Sequence, residues 1–389
     1  MFPGSISRAV LAAATIALGT PAVAAAAYTQ VPSPNAFAGN NLLNGISATS
    51  AADAWAVGSL CCSARHSGLG TLTEHWNGTA WSIVASPDST LHDDVLNAVG
   101  SISSTDAWAV GSVKQTGFRT GTPLLLHWTG SSWSTVAPPA GLTGSLRAIS
   151  ADSRSDVWTT GDDGHGKAIV LRYNGTAWSP VSIPLVGTGE TIGGVKAFSP
   201  SDVWLVGDHG SSTSSQAQTL ILHWNGAAWS AIPSPSPDPN QNLLRAVGGV
   251  STHDLWAVGQ KGLSETATGV PPGTRTLALH WNGTNWATVS TPNLGDEDTL
   301  SAVAATASGS VTMVGSDNNT SGSIPIARTL VERWNGAAVA VQSSPNVGAS
   351  DNLLQGVGAL PGTSTVFAVG FHLQATGPYQ TLILKGVGG

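Results

Sequence analysis

The chain has 389 residues, with 15 Lys and Arg against 22 Asp and Glu, a formal net charge of −7. An acidic chain of this kind offers no electrostatic footprint for nucleic acid. Its 15 Trp and 41% hydrophobic share can bury a core, which excludes a disordered chain, while a charged share of only 10% beside 47 Gly resembles the composition of secreted bacterial proteins.

Taken from the N-terminus, residues 1–27 read as an export signal. Arg8 supplies the positive n-region, AVLAAATIALG the apolar h-region and AVAAAA several A-x-A cleavage options. That apolar run is too short and Ala-rich for a membrane span, and no later run approaches the roughly 20 residues a spanning helix needs. The expectation is an extracellular, soluble monomer that starts near Tyr28 and forms one domain over residues 28–389. The next stretch, YTQVPSP at Tyr28–Pro34, matches WSIVASP at Trp81–Pro87.

From there the chain repeats. DAWAVG begins at Asp53 and Asp106, DVWTTG at Asp156, DVWLVG at Asp202 and DLWAVG at Asp254, with weaker copies SVTMVG at Ser310 and TVFAVG at Thr365; their central positions lie 46 to 56 residues apart. A second signature, HWNGTAWS at His75, returns at His127, Arg172, His223 and His280, and in worn form at Arg333. Each unit holds four segments of five to seven residues, rich in Val, Ile, Leu and Trp and bounded by Gly, Asn, Ser or Pro, which are strands. Asn-Gly between the third and fourth segments suits a tight primed hairpin turn, with positive φ at both central residues. Four antiparallel strands at this period describe a β-propeller blade. Seven second strands imply seven blades, and because the last unit stops after TLILKGVGG, the N-terminal strand is expected to complete blade seven and close the ring.

These motifs resemble seven-bladed propellers broadly of the Kelch and BNR type, and in particular the secreted actinobacterial proteins of unknown function that carry DAWAVG…HWNG…W repeats. The resemblance spans residues 28–389 and implies the fold. It is almost silent on activity, since propellers host lectins, lyases, sialidases, oxidases and scaffolds. As repeat signatures, the Kelch double glycine and the S-x-D-x-G-x-T-W Asp-box are both absent.

A residue repeated in every blade serves packing, so the Asp that opens each second strand and the His/Arg in each third strand are expected to hydrogen-bond within the scaffold, four His residues notwithstanding. Function is expected where copies differ. Between constant neighbours, the innermost strand carries Asn44, Asn97, Arg147, Gly193, Arg245, Ser301 and Gln355, a position placed to line the central channel; Tyr379, in a variable loop, joins these ligand-binding candidates. The long connections 59–70, 112–122, 260–275 and 316–328 share one face, where Asp93, Asp94 and Asp296–Glu297–Asp298 read as a solvated acidic rim. Asp162, Asp163 and His165 in GDDGHG, with Asp208 and His209 in GDHG one blade on, are the candidate ligands of a divalent metal, Ca²⁺, Zn²⁺ or Mn²⁺; the bland reading is two surface turns. Adjacent Cys61 and Cys62 could form a vicinal disulfide, stay as free thiols or link to another chain.

No G-x-S-x-G elbow or H-E-x-x-H motif occurs. The leading expectation is a secreted binding protein for an extracellular glycan or cell-wall polymer. The enzyme alternative is a polysaccharide lyase or glycoside hydrolase working through His165, His209, Arg147, Arg245 or Tyr379, and the third a structural or protein-interaction scaffold.

Overall fold

The computed structural model describes residues 28–36, 38–61, 68–89, 92–115, 121–187, 189–210, 216–262, 273–295, 297–307, 309–319, 326–375 and 377–387. The expected export signal, Cys62, Asp296 and much of the four long connections lie outside them. The protein is all-β, with seven four-stranded antiparallel sheets. Blade 1 consists of Asn41–Ser50, Asp53–Cys61, Leu69–Trp76 and Trp81–Ile83, in that order from the axis outward, and blades 2 to 6 repeat the plan. Consecutive blades touch through their first strands, and the last returns to the first, so the ring is closed.

Blade 7 takes its outer strand from the N-terminus. Thr29–Val31 pairs antiparallel with Tyr379–Val387, Thr29 opposite Lys385 and Val31 opposite Ile383. The match runs past the strand. In blade 1 the Thr71 hydroxyl contacts Ser86 Oγ at 2.8 Å and donates to the Pro87 carbonyl at 2.9 Å. Thr219, Thr276 and Thr329 clasp the equivalent Ser/Thr-Pro turns of their own blades. In blade 7, Thr381 makes this clasp with Ser33 and Asn35, some 350 residues away in the chain.

The aromatic repeat holds blades to one another. Each second-strand Trp is covered on one side by the third-strand His or Arg of its own blade: His127 stacks on Trp108 with centroids 4.1 Å apart, and the Arg172 guanidinium lies 4.9 Å from the Trp158 ring. That side chain is held by the Asp that opens the second strand. His75, His127, His223 and His280 donate from Nε2 to Asp53, Asp106, Asp202 and Asp254 at 2.7 to 2.9 Å, and Arg172 Nε donates to Asp156 at 2.7 Å. On its other side, the second-strand ring meets the next blade's outer-strand Trp edge to face: Trp55 with Trp133 at 5.0 Å, Trp108 with Trp178 at 5.2 Å, Trp158 with Trp229 at 5.7 Å. The outer-strand indole N–H groups have no hydrogen-bond acceptor, and an edge-on approach to a π face is the favourable arrangement left to them. The Asn-Gly turn is repeated because the two Trp residues on its flanks must both reach the preceding blade.

That turn differs from the expected two-residue form. Trp76 pairs directly with Trp81, which leaves a four-residue connection, and Asn77 Oδ1 accepts the amides of Thr79 and Ala80. The Asn side chain supplies the turn's acceptor, while Gly78 takes φ of 97° and lies against Ala52, where a Cβ would come within 2.9 Å.

Candidate functional site

The last glycine of every AVG motif explains how the site is built. In all seven blades the first strand carries a one-residue register shift against the second, between Leu43 and Gly45, Leu96 and Ala98, Leu146 and Ala148, Ile192 and Gly194, Leu244 and Ala246, Leu300 and Ala302, and Leu354 and Gly356. The skipped residues are Asn44, Asn97, Arg147, Gly193, Arg245, Ser301 and Gln355. A bulge bends its strand and re-aims the extra side chain, here toward the axis. It also presses a first-strand carbonyl onto the second strand: a Cβ on Gly58 would stand 1.9 Å from Leu42 O, and one on Gly111 would stand 1.8 Å from Val95 O. The repeated glycine is the sequence trace of the bulge.

All seven bulge residues line one central cavity of about 670 Å³. Asp162 and Asp208 at the ends of second strands, Gly166 in the following loop and Thr191 at the start of a first strand line it too, so it opens on the face of the long connections. Beneath the polar ring, a smaller space of about 190 Å³ is bordered by Gly and Ala and then by Ile46, Val99, Ile149, Val195, Val247 and Val357. The channel is therefore polar at its mouth and narrows into an apolar collar.

The ring is not uniform. Asn44 and Asn97 each spend their amide N–H on the next blade, donating to Leu96 O at 2.8 Å and Leu146 O at 2.7 Å; they staple first strands while facing the cavity. The charge gathers over blades 3 to 5. Arg147 Nε donates to Asp162 Oδ2 at 2.5 Å, and Arg245 Nη2 donates to Gln260 Oε1 at 2.7 Å. Between them Gly193 adds no side chain, because a Cβ there would meet Leu244 O at 2.6 Å. Burial and the nearby Arg147 charge depress the Arg245 guanidinium, with Asp208 pulling the other way. Burial pushes the Asp208 carboxyl up, against the Thr191 hydroxyl that donates to it at 2.6 Å and the Arg245 and His209 charges.

Other sequence candidates fall elsewhere. Tyr379 packs on Phe371 with centroids 5.2 Å apart, and its amide donates to Asn40 Oδ1 at 2.9 Å; it does not border the cavity. The five proposed metal ligands do not assemble. Asp162 is turned to Arg147, and Asp163 accepts the His165 and Lys167 amides and closes its own turn. His165 is exposed, and His209 borders a separate outer groove with Val186 and Gln218. Among the described residues no three His, Cys, Asp or Glu side chains form a metal centre. The physical reason is local satisfaction: each carboxylate already has donors within its own blade. Cys61 is held in a disulfide, and its neighbour Cys62 is outside the described residues.

The acidic rim needs a correction as well. Asp94 and Asp298 are buried at 3% and 0% exposure. Asp94 accepts the Ser89 amide, and Asp298 accepts those of Leu294 and Gly295. Asn41, Glu190, Asn242 and Asn352 make the same tie in their blades, so this position anchors the interblade loops. Burial raises Asp94 to about 6.

Two further carboxyls passed unnoticed in the sequence. Glu74 and Glu332, both 0% exposed, occupy third-strand slots that hold Leu126, Leu171, Leu222, Leu279 and Leu384 in the other blades. Burial pushes each up to about 8. TLTEHW and TLVERW, read against TLILHW, contained the signal.

No family model and no curated protein matches the chain. Its resemblances are to solved structures. YCF48 bound to D1 peptide shares 15% identity over 92% of this chain and 95% of that one, with a TM-score of 0.52. The GH74 enzyme of Niastella koreensis shares 14% over 88% of this chain but 54% of its own, with a TM-score of 0.56. The GH74 xyloglucanase of Xanthomonas campestris shares 13% over 92% and 55%, also at 0.56. At such identities the likeness establishes the propeller fold.

Proposed function

We propose that the protein is an exported binding protein that takes a segment of an extracellular glycan or cell-wall polymer into the mouth of its central channel. The observation that carries this reading is the bulge ring. Seven symmetry-related positions point into one cavity, and they are the positions at which the repeat ceases to repeat, while the recurring residues are consumed by packing. Eleven of the fourteen residues bordering the cavity are polar, charged or Gly, with only Ile192, Leu243 and Leu244 apolar, a lining that suits a hydroxyl-rich polymer better than apolar peptide side chains. The export-signal reading of residues 1–27 supplies the compartment.

The experiment is a panel of polysaccharides scored for both retention and chain shortening. Retention without shortening, weakened by Arg147→Ala and Arg245→Ala, is the expected result. A glycan-cleaving alternative draws on one observation, two cavity carboxyls in unlike surroundings: Asp162 paired with an arginine and Asp208 pushed up by burial, the kind of divergence from which acid and base roles arise. Shortening that Asp208→Asn abolishes would decide for it. Absence of any glycan effect, with retention of a peptide instead, would replace both readings with a protein-binding scaffold, the role the peptide-bound YCF48 structure illustrates for its own chain.

A further inference from the structure

The charged sector of the ring has a feature that a neutral sugar would not need. Arg147 and Arg245 flank Gly193, the one bulge position without a side chain, and both border the cavity. Arg147 is engaged by Asp162 through Nε alone, and Arg245 by Gln260 through Nη2. Among the described residues, both terminal nitrogens of Arg147 and Nη1 of Arg245 have no protein acceptor. The two guanidiniums are close enough for the charge of one to disfavour the charge of the other. Asp208, the remaining acid of the sector, lies near enough to Arg245 for its charge to offset part of the pair's, and it accepts the Thr191 hydroxyl at 2.6 Å. Two guanidiniums bordering one cavity, with spare planar donors, form a setting that an oxyanion completes.

A second, independent observation points to the kind of polymer. Neutral sugars are commonly held on aromatic faces, and among the described residues no aromatic side chain borders the cavity. All 15 Trp lie in strands, where they pack the blade seams. What the described lining offers a ligand is hydrogen bonds and charge. Asn, Gln and Ser on the facing blades supply acceptors and donors for hydroxyl groups, and the Arg147–Arg245 pair supplies the charge.

We propose that the sector between Arg147 and Arg245 is a carboxylate subsite, and that the polymer recognised is an acidic, uronate-bearing glycan. This rests on the cavity reading above and narrows it to one ligand class. The guanidinium forks hold the uronate carboxylate, Gly193 borders the cavity between them, and Asp162 and Gln260 keep the two arginines oriented.

The test uses oligogalacturonate and the same oligomer with its carboxyls methyl-esterified, titrated calorimetrically into the full chain, with neutral cello-oligosaccharides and an acidic peptide as further probes. The acid form is expected to bind at least about tenfold more tightly than the ester, since charge-assisted pairs are markedly stronger than neutral ones. Its affinity should fall with added salt, and R147Q and R245Q should each bring it toward the ester's value. The ester comparison and the salt series need no variant, so a folding defect in either variant leaves the result decisive. Equal binding of acid and ester, or binding of the neutral oligomer alone, overturns the carboxylate subsite and leaves the glycan cavity standing. Binding of the acidic peptide alone, or of none of the probes, overturns the subsite and the glycan reading together.

Discussion

Glu74 shows how much one buried proton can matter. Thr381 Oγ1 donates to Asn35, and Ser33 Oγ donates to Thr381 at 2.8 Å. The Ser33 hydroxyl also reaches both Glu74 carboxyl oxygens, at 2.9 and 3.2 Å. Ser33 is the donor in these contacts, which favours the charged carboxylate, but burial outweighs it and pushes Glu74 up to about 8. Glu332 has no hydrogen-bond partner on either oxygen, because the Thr276 hydroxyl beside it donates to the Thr291 turn; burial and then the Asp298 charge raise it to about 8 as well. The folded value of both groups lies above the unfolded value of 4.5. Their contribution is therefore complete below about pH 4.5 and is lost as pH rises through about 8. The melting temperature is expected to climb as pH is lowered from 8 toward 5. Glu74→Gln, whose amide can donate to Ser33, and Glu332→Leu, which restores the residue of the other blades, should each flatten that profile and raise stability at neutral pH. A melting temperature independent of pH in the wild type would refute the assignment. Gly111→Ala belongs to the same scale: a Cβ 1.8 Å from Val95 O has to displace backbone, at a cost of about 3 kcal/mol, read as a drop in the denaturation midpoint.

At the scale of elements, the hairpin of third and outer strands acts as a clamp. Its two Trp residues reach over the preceding blade's second-strand Trp, so Trp108 at 2% exposure is covered by His127 of its own blade and by Trp178 of the next. Truncating such a ring costs about 3–5 kcal/mol. Trp108→Ala should accordingly lower the urea midpoint markedly while leaving ligand affinity per folded molecule unchanged. Loss of binding at full stability would identify Trp108 as a ligand platform instead. The seam between blades 6 and 7 is built differently. Thr312 stands where the other second strands have an aromatic ring, and Tyr28 and Gly386 stand where the clamp would have its Trp pair. The Tyr28 hydroxyl approaches Thr312 Oγ1 at 3.4 Å, and a Cβ on Gly386 would collide with the Tyr28 ring at 2.3 Å. One phenol thus fills the volume that the smaller residues vacate.

At the scale of the whole molecule, ring closure depends on residues at opposite ends of the chain. Tyr28 is buried at 4% exposure, its strand pairs with Tyr379–Val387, and the Ser33–Asn35 clasp fastens it further. Deleting Tyr28–Pro34 would open an edge on blade 7, strip the Tyr28 side chain from the blade 6 seam and leave Glu74 without Ser33. An unpaired edge strand templates association, so light scattering should report aggregation, and the melting temperature should fall. A truncated chain that stayed monomeric with an unchanged melting temperature would show that the closing strand is dispensable.

The sequence by itself determined the strands, the number of blades and the strand that closes the ring. Each repeat buries its faces against a copy of itself, so packing residues must recur at the repeat period, and a missing outer strand must be supplied by a matching segment. It also exposed the ring of Asn44, Asn97, Arg147, Gly193, Arg245, Ser301 and Gln355, because a position freed from packing varies while its neighbours do not. Only the tertiary structure decided how those positions reach the axis, since a bulge is a relation between two strands and leaves merely a glycine in each. It alone separated Asp94 and Asp298, buried under interblade loops, from true surface acids, and it dispersed the five proposed metal ligands by giving each carboxylate donors in its own blade. Partnership and burial are set by groups brought together from distant parts of the chain, and the charge state of Glu74 or Asp208 follows from that surrounding medium, a property that no residue's local sequence contains.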